Sequence, residues 1–226
     1  MYAERDVPEA GGTLWTHTAS VAGPHRIIPD GCLDLIWTGG ELIVAGPDTE
    51  AVVTATRPGD TAVGLRFSPG NGPLALGVPA HELRDRRVPL AQIWDGALVR
   101  RLTGQIEETA TPGLFLSGLA TGRTREPDPI VPEMLAGLAV GESVAACAAR
   151  AGYSERQLHR RCRESFGYGL KTLSRVLRMN RAVELARRGR PFSEIAFAVG
   201  YADQAHLSRE VKALAGVPLS EFRPAR

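Results

Sequence analysis

Arg156, His159 and Arg160 stand within one short stretch of this sequence, and Gln204, His206, Ser208 and Arg209 within another. At helical spacing each set falls on one face, away from Leu158, Cys162 and Phe166 in the first stretch and from Leu207, Val211 and Leu214 in the second. Arginine forks onto the O6/N7 edge of guanine and glutamine onto the N6/N7 edge of adenine, so these faces have the chemistry to read bases. Arg161, Arg163, Lys171, Arg175 and Lys212 lie on their flanks and on the stretch between, where a cation meets phosphate rather than a base edge. A solvated basic helix face would carry the same residue types. What distinguishes the two readings is whether the chain builds a scaffold that presents both sets together.

The rest of the chemistry-bearing residues are less organised. Cys32 sits near Asp30 and Asp34, with His17 and His25 in the same strand-rich region. A zinc site needs three or four convergent ligands, and no short paired spacing offers them. Cys32, flanked by Leu and Ile, reads as a small buried hydrophobe. With Cys147 and Cys162 it makes an odd, widely spaced set of three, with no C-x-x-C pair, so neither a disulfide framework nor a zinc ribbon is supported. Trp15, Trp37 and Trp94 anchor a core or line an apolar pocket; Trp15, Cys32 and Trp37 are the weak candidates for a ligand site. No nucleophile elbow, P-loop or HExxH motif is present, and Gly70-Asn71-Gly72-Pro73 is a turn with no Lys-Ser/Thr after it. Glu107-Glu108 reads as a solvated helix end. The expectation is a protein that is not an enzyme and has no cofactor and no metal.

Charge divides the chain. Residues 130–226 hold 16 Lys/Arg against 9 Asp/Glu, a balance of +7; residues 1–129 hold the other 11 against 16, a balance of −5. Such asymmetry is what a chain shows when only its C-terminal part meets a polyanion. Upstream, the runs TLWTHTASV, HRIIP, CLDLIWT, ELIVAG, EAVVTAT and TAVGLRF alternate with Gly, Pro and Asp clusters and predict strands of a small sandwich or barrel over 13–67. Residues 74–109 read as short helices, the clearest over 95–108, where Leu98, Leu102 and Ile106 recur every fourth position. TATPGLF reads as a break, and GRTREPDP, at 122–129, as a linker. Everything after it reads as helix. No window approaches the apolar length of a membrane span, and the N-terminus lacks the features of a secretory signal, so a cytoplasmic protein with no membrane partner is expected.

The C-terminal segment repeats itself. Ala148, Gly152 and Tyr153 match Ala196, Gly200 and Tyr201; beyond the turn Leu158, Arg160, Cys162, Arg163 and Gly167 match Leu207, Arg209, Val211, Lys212 and Gly216, one extra residue having entered the second turn. In each unit a small residue (Ala148 or Ala196) lets a second helix cross closely. A glycine four residues later supplies the left-handed turn, and a cap candidate (Ser154 or Asp203) starts the next helix. This is the physics of a helix-turn-helix, whose second helix lies in the major groove. Leu170 to Arg188 between the units is amphipathic and predicts a connecting helix on the order of 28 Å long, a length suited to grooves about 34 Å apart.

With both units, the spacer and the terminal Pro218-x-x-x-Phe222-Arg223 in view, residues 135–226 resemble the AraC family of transcription regulators. The run GYADQAHLSREVKALAGVPLSEFR is similar to that family's closing signature, with Val211 where an aromatic is usual. The resemblance implies two helix-turn-helix modules on one chain and sequence-specific promoter binding. PDGCLDLIW, GLRFSPG and LGVPAHELRDRRVPL resemble a short N-terminal domain found in some bacterial members, and imply no ligand. The expected fold class is α+β: a β-rich domain with short helices over 1–121, a linker over 122–132, and an all-α double helix-turn-helix over 133–226. Double-stranded DNA is the expected partner. The N-terminal domain would bind a small effector or form a homodimer, and an activator would also touch RNA polymerase. The alternative is an N-terminal half that serves only as an oligomerisation or interaction module with no ligand.

Overall fold

The structure, a computed structural model, describes residues 1–123 and 128–224. Strands β1 (Tyr2–Val7), β2 (Gly12–Thr18), β7 (Thr61–Phe67), β4 (Asp34–Thr38), β5 (Glu41–Ala45) and β8 (Arg87–Pro89) form an antiparallel sheet in that order. A separate ribbon pairs β3 (Gly23–Ile27) with β6 (Val52–Thr56). Alternation decides the faces. Leu14, Leu35, Leu42, Val44, Leu65 and Phe67 point to one side, where helices α2 (Gly96–Glu108) and α3 (Pro112–Thr121), which follow the short helix α1 (Gly72–Leu76), close over them with Val99, Leu102, Ile106 and Leu116. The other side is polar. Registers Glu4↔Trp15, Trp15↔Gly64 and Asp34↔Arg66 place Glu4, Trp15, Arg66 and Asp34 together there. The ribbon comes over this face, with the His25 ring stacked on His17, centroids 4.7 Å apart.

Six of the eight strands coincide with the runs read from sequence; β1 and β8 were not anticipated. The segment TATPGLF, read as a break, contains the first turn of α3, with Pro112 at its start, where proline costs no hydrogen bond. Helix α4 (Ile130–Ala139) begins within the stretch assigned to the linker, and residues 124–127 of that stretch lie outside the described residues.

Beyond α4 come α5 (Val144–Arg150), α6 (Glu155–Phe166), α7 (Leu170–Arg187), α8 (Phe192–Ala198) and α9 (Gln204–Ala215). They bury two distinct cores. Met134, Leu138, Cys147, Leu158, Cys162, Phe166, Leu173 and Val176 make the first; Met179, Val183, Ile195, Ala196, Leu207, Val211 and Leu214 make the second. Helix α7 is the one element common to both, its Val176 belonging to the first and Met179 to the second. Among the described residues no helix is long and apolar enough to cross a membrane.

Candidate nucleic-acid interface

Each recognition helix is built by local rules. Ser154 caps α6: its Oγ accepts from the Gln157 N–H at 3.3 Å, and the Gln157 side-chain oxygen accepts from the Ser154 N–H at 2.9 Å, satisfying two of the helix's free donors reciprocally. Asp203 caps α9, accepting from the His206 N–H at 2.6 Å. The turn before each cap passes through Gly152 (φ +70°) or Gly200 (φ +75°), in the left-handed region that an L side chain strains to enter. Leu158, Cys162 and Phe166 are buried beneath α6, and Leu207, Val211 and Leu214 beneath α9. Val211, which stands where the resemblance leads to an aromatic, is fully buried in this core.

Burial of one face leaves the other in solvent. Arg156, His159, Arg160 and Arg163 are exposed on α6; Gln204, Ser208, Arg209 and Lys212 are exposed on α9. His206 is half-buried, edge-on to Tyr201 with ring centroids 5.2 Å apart, and its Nδ1 is 3.5 Å from the Ala202 N–H that donates to it. Arg160 is 3.9 Å from Glu164, a loose pair one turn on.

Two clefts show how the helices sit relative to each other. A cleft of about 540 Å³ runs between the start of α5 (Ser143, Val144), one face of α7 (Lys171, Ser174, Arg175, Arg178) and α9 (His206, Glu210). A second, about 200 Å³, lies between His159 of α6 and Gly169 to Thr172. Both include Val144, Leu170 and Lys171, so His159 of α6 and His206 of α9 border adjoining clefts along α7.

Two of the flanking arginines have partners within the protein. Arg175 holds Glu210 bidentately, Nε at 2.8 Å and a terminal nitrogen at 3.2 Å, tying α7 to α9 and holding the Glu210 carboxyl below the usual carboxylate range. Arg161 pairs with Asp128 and stands over the Tyr153 ring. Lys171 is exposed at the junction of the two clefts. Sequence reasoning missed Arg178, which lines the larger cleft, lies over the Tyr201 ring at 5.0 Å and donates to the Gly200 carbonyl at 3.4 Å. Its position one turn beyond Arg175 on the same face was the available signal.

The three weak ligand candidates do not converge. Trp15 lies on the polar face of the sheet, its ring packed over Gly64 and its Nε1 donating to Asp34 at 2.6 Å. Trp37 packs against the apolar core on the opposite face. Cys32 is buried at the loop before β4, and burial together with the neighbouring Asp30 and Asp34 pushes its thiol well up. Around Trp15, Arg66 bridges Asp30 (3.0 Å), Glu4 (3.3 Å) and Asp34 (3.7 Å). One guanidinium shared by several acids does not neutralise them all. The Asp34 carboxyl is pushed up to about 7, by burial first and then by the charge of Asp30, and Asp30 is raised for the same first reason.

Comparison with known proteins agrees with this geometry. Residues 147–225 match the family described as a helix-turn-helix domain, and residues 13–89 match a domain of unknown function, DUF6597. Among solved structures, apo ToxT from Vibrio cholerae superposes over 97% of this chain and 98% of its own, with 12% identity and a TM-score of 0.53. ToxT bound to an unsaturated fatty acid matches over 92% of each chain at 11% identity and a TM-score of 0.51. The C-terminal domain of AraT, a response regulator from Geobacillus stearothermophilus, is 26% identical over 42% of this chain and 84% of its own, with a TM-score of 0.39. A search of curated proteins found no match.

Proposed function

We propose that this chain, a DNA-binding transcription regulator with an AraC-type helix-turn-helix domain, reads two adjacent major-groove segments of one promoter with α6 and α9. The observation that carries the reading is that His159 of α6 and His206 of α9 border adjoining clefts along α7, a helix of 18 residues or roughly 27 Å. That span suits successive grooves about 34 Å apart. In this reading Arg156, His159, Arg160, Gln204, His206, Ser208 and Arg209 contact bases. Arg163, Lys171 and Lys212 contact phosphates as free cations, and Arg161 and Arg175 do so from within ion pairs.

The N-terminal domain is the controlling part, through a small effector or through pairing with a second copy. Support for an effector comes from the shared fold of ToxT, a structure of which holds an unsaturated fatty acid. As an activator the protein would also touch RNA polymerase, and its work would be in the cytoplasm, on the nucleoid.

The test separates reading from attraction. On a duplex selected from a random pool by the full chain, Arg160→Ala is expected to weaken binding by about 1–3 kcal/mol and to relax preference at one position. Arg163→Ala is expected to weaken all duplexes alike and to flatten the salt dependence by about one phosphate. Equal losses for Arg160→Ala on selected and random DNA would remove its base-reading role.

A further inference from the structure

The two reading units share little besides α7. Their cores are separate, and among the described residues the polar ties across the gap are the Arg175–Glu210 pair and Arg178, which bonds the Gly200 carbonyl and lies over the Tyr201 ring. The N-terminal domain touches both. Against the first unit, Gly70 packs on Val131 and Phe166, Pro47 and Ala80 pack on Gly167 at the end of α6, and Gly31 packs on Tyr168 and Leu173. Against the second, the Ala51 N–H donates to the Leu214 carbonyl at 2.8 Å, Arg26 Nη1 donates to the Ala215 carbonyl at 3.3 Å, and Ile28 enters the core. Asn180 on α7 donates to the Pro29 carbonyl at 2.9 Å.

Gly70 and Ala80 add contacts to the first unit only and Arg26, at the end of β3, to the second only; two short loops each span from one unit to the other. Ile28 to Gly31 runs from the second core to Tyr168 and Leu173. Pro47 to Ala51 runs from the end of α6 to the end of α9. Four peptide steps reach at most about 14 Å, so the second loop limits how far apart the C-terminal ends of the two recognition helices can stand. Both loops are braced from behind. Asp48 is held bidentately by Arg87 at 2.6 and 2.7 Å, and Thr49 donates twice to Asp85, at 2.7 and 2.9 Å. Asp30 accepts from the Cys32 N–H at 2.9 Å and pairs with Arg66.

The docking side matters as much as the docking. At about 100° per residue, Leu173 and Asn180 fall on the side of α7 opposite Lys171, Arg175 and Arg178. The N-terminal domain therefore sits behind the double reader and leaves the exposed faces of α6 and α9 uncovered.

We infer that the N-terminal domain acts as a splint: loops 28–31 and 47–51 lock the distance and angle between the two recognition helices, so that the chain accepts one spacing of half-sites. The domain sets the operator's geometry from the back and does not mask the reading surface. This inference rests on the DNA-reading proposal above.

The experiment uses the full chain and a duplex it selects from a random pool. Variants of that duplex carry one base pair added or removed between the half-sites. The splint variants are Arg26→Ala with Asn180→Ala, whose side chains are not part of either core, and separately Ala51→Pro, which deletes the donor to Leu214. Thermal melts establish that each variant is folded. The wild type is expected to lose about tenfold or more in affinity on the altered spacings, and the splint variants about threefold or less. Two results overturn the splint: a spacing profile unchanged in folded variants, or variants that bind the selected duplex about tenfold tighter than the wild type, which is the behaviour of a released mask. Failure to enrich any duplex would instead sink the DNA-reading proposal, and the splint with it.

Discussion

Glu210 is a carboxylate on a recognition helix, inside a cleft that a polyanion would line, and it is there to hold Arg175. Glu210→Gln removes that negative charge and leaves Arg175 with a weaker, neutral partner. In the proposed complex Arg175 touches its phosphate from within the ion pair; without the Glu210 charge its whole charge neutralises that phosphate, which counts as one more contact in the salt dependence. One more phosphate contact steepens the dependence of log affinity on log salt by about 0.9. Between about 50 and 200 mM salt, a change of roughly 0.6 in log salt, the variant should lose an additional factor of about 3.5 relative to the wild type. At the lowest salt it should bind random duplex more tightly than the wild type. The price in stability is small, because the side chains of the pair are 35% and 21% exposed and such pairs contribute at most about 1 kcal/mol. Fluorescence anisotropy of a labelled random duplex across that salt range measures the slope directly. Glu194→Gln is the control: Glu194 pairs with Arg190 at 2.8 Å and does not line the cleft, so its slope should match the wild type. A slope for Glu210→Gln equal to or shallower than the wild type would refute the placement of the backbone along α7.

Two further outcomes concern stability. A carboxyl raised from 3.8 to about 7 keeps its proton in the folded state through a window where the unfolded chain has released it. Stability should therefore fall as pH rises from about 4 to about 7 and level off above, with Asp34 contributing on the order of 4 kcal/mol at most. Asp34→Asn keeps an oxygen to accept from Trp15, so its melting temperature should vary less with pH over that window; parallel curves would contradict the charge argument. Ser154→Ala removes the acceptor and half of the capping box and should lower unfolding stability by about 1 kcal/mol in denaturant titrations, whereas a change under a few tenths would mean that Gln157 alone caps α6.

What could be read ahead of the structure follows from where information is local. Strands β2, β4, β5 and β7 announce themselves because one face is buried and the alternation survives in the sequence, as in Leu14, Leu35, Leu42, Val44 and Leu65. The strand β1 has only Val7 buried, so YAERDV has no alternation to detect; it is held by its ladder to β2. The strand β8 is three residues long and ends in proline. The reading helices were legible because the chain repeats them, with caps and turn glycines in register. The partners of Arg161 and Arg175 were not, since Asp128 and Glu210 lie 33 and 35 residues away and only packing brings them together. Nor was the bracing behind the readers: a backbone N–H at Ala51 and a carbonyl at Pro29 leave no mark on residue type.

The division of the C-terminal domain into two interiors, meeting at the single turn between Val176 and Met179, bears on how such a protein changes. A substitution that repacks Leu158 or Cys162 reaches Leu207 or Val211 only along α7 and its two arginine ties, or through the N-terminal loops behind them. Local opening of either half need not loosen the other. On the proposed reading, selection can retune the base preference of one head while the sister head keeps its grip, and a new promoter can be acquired in halves.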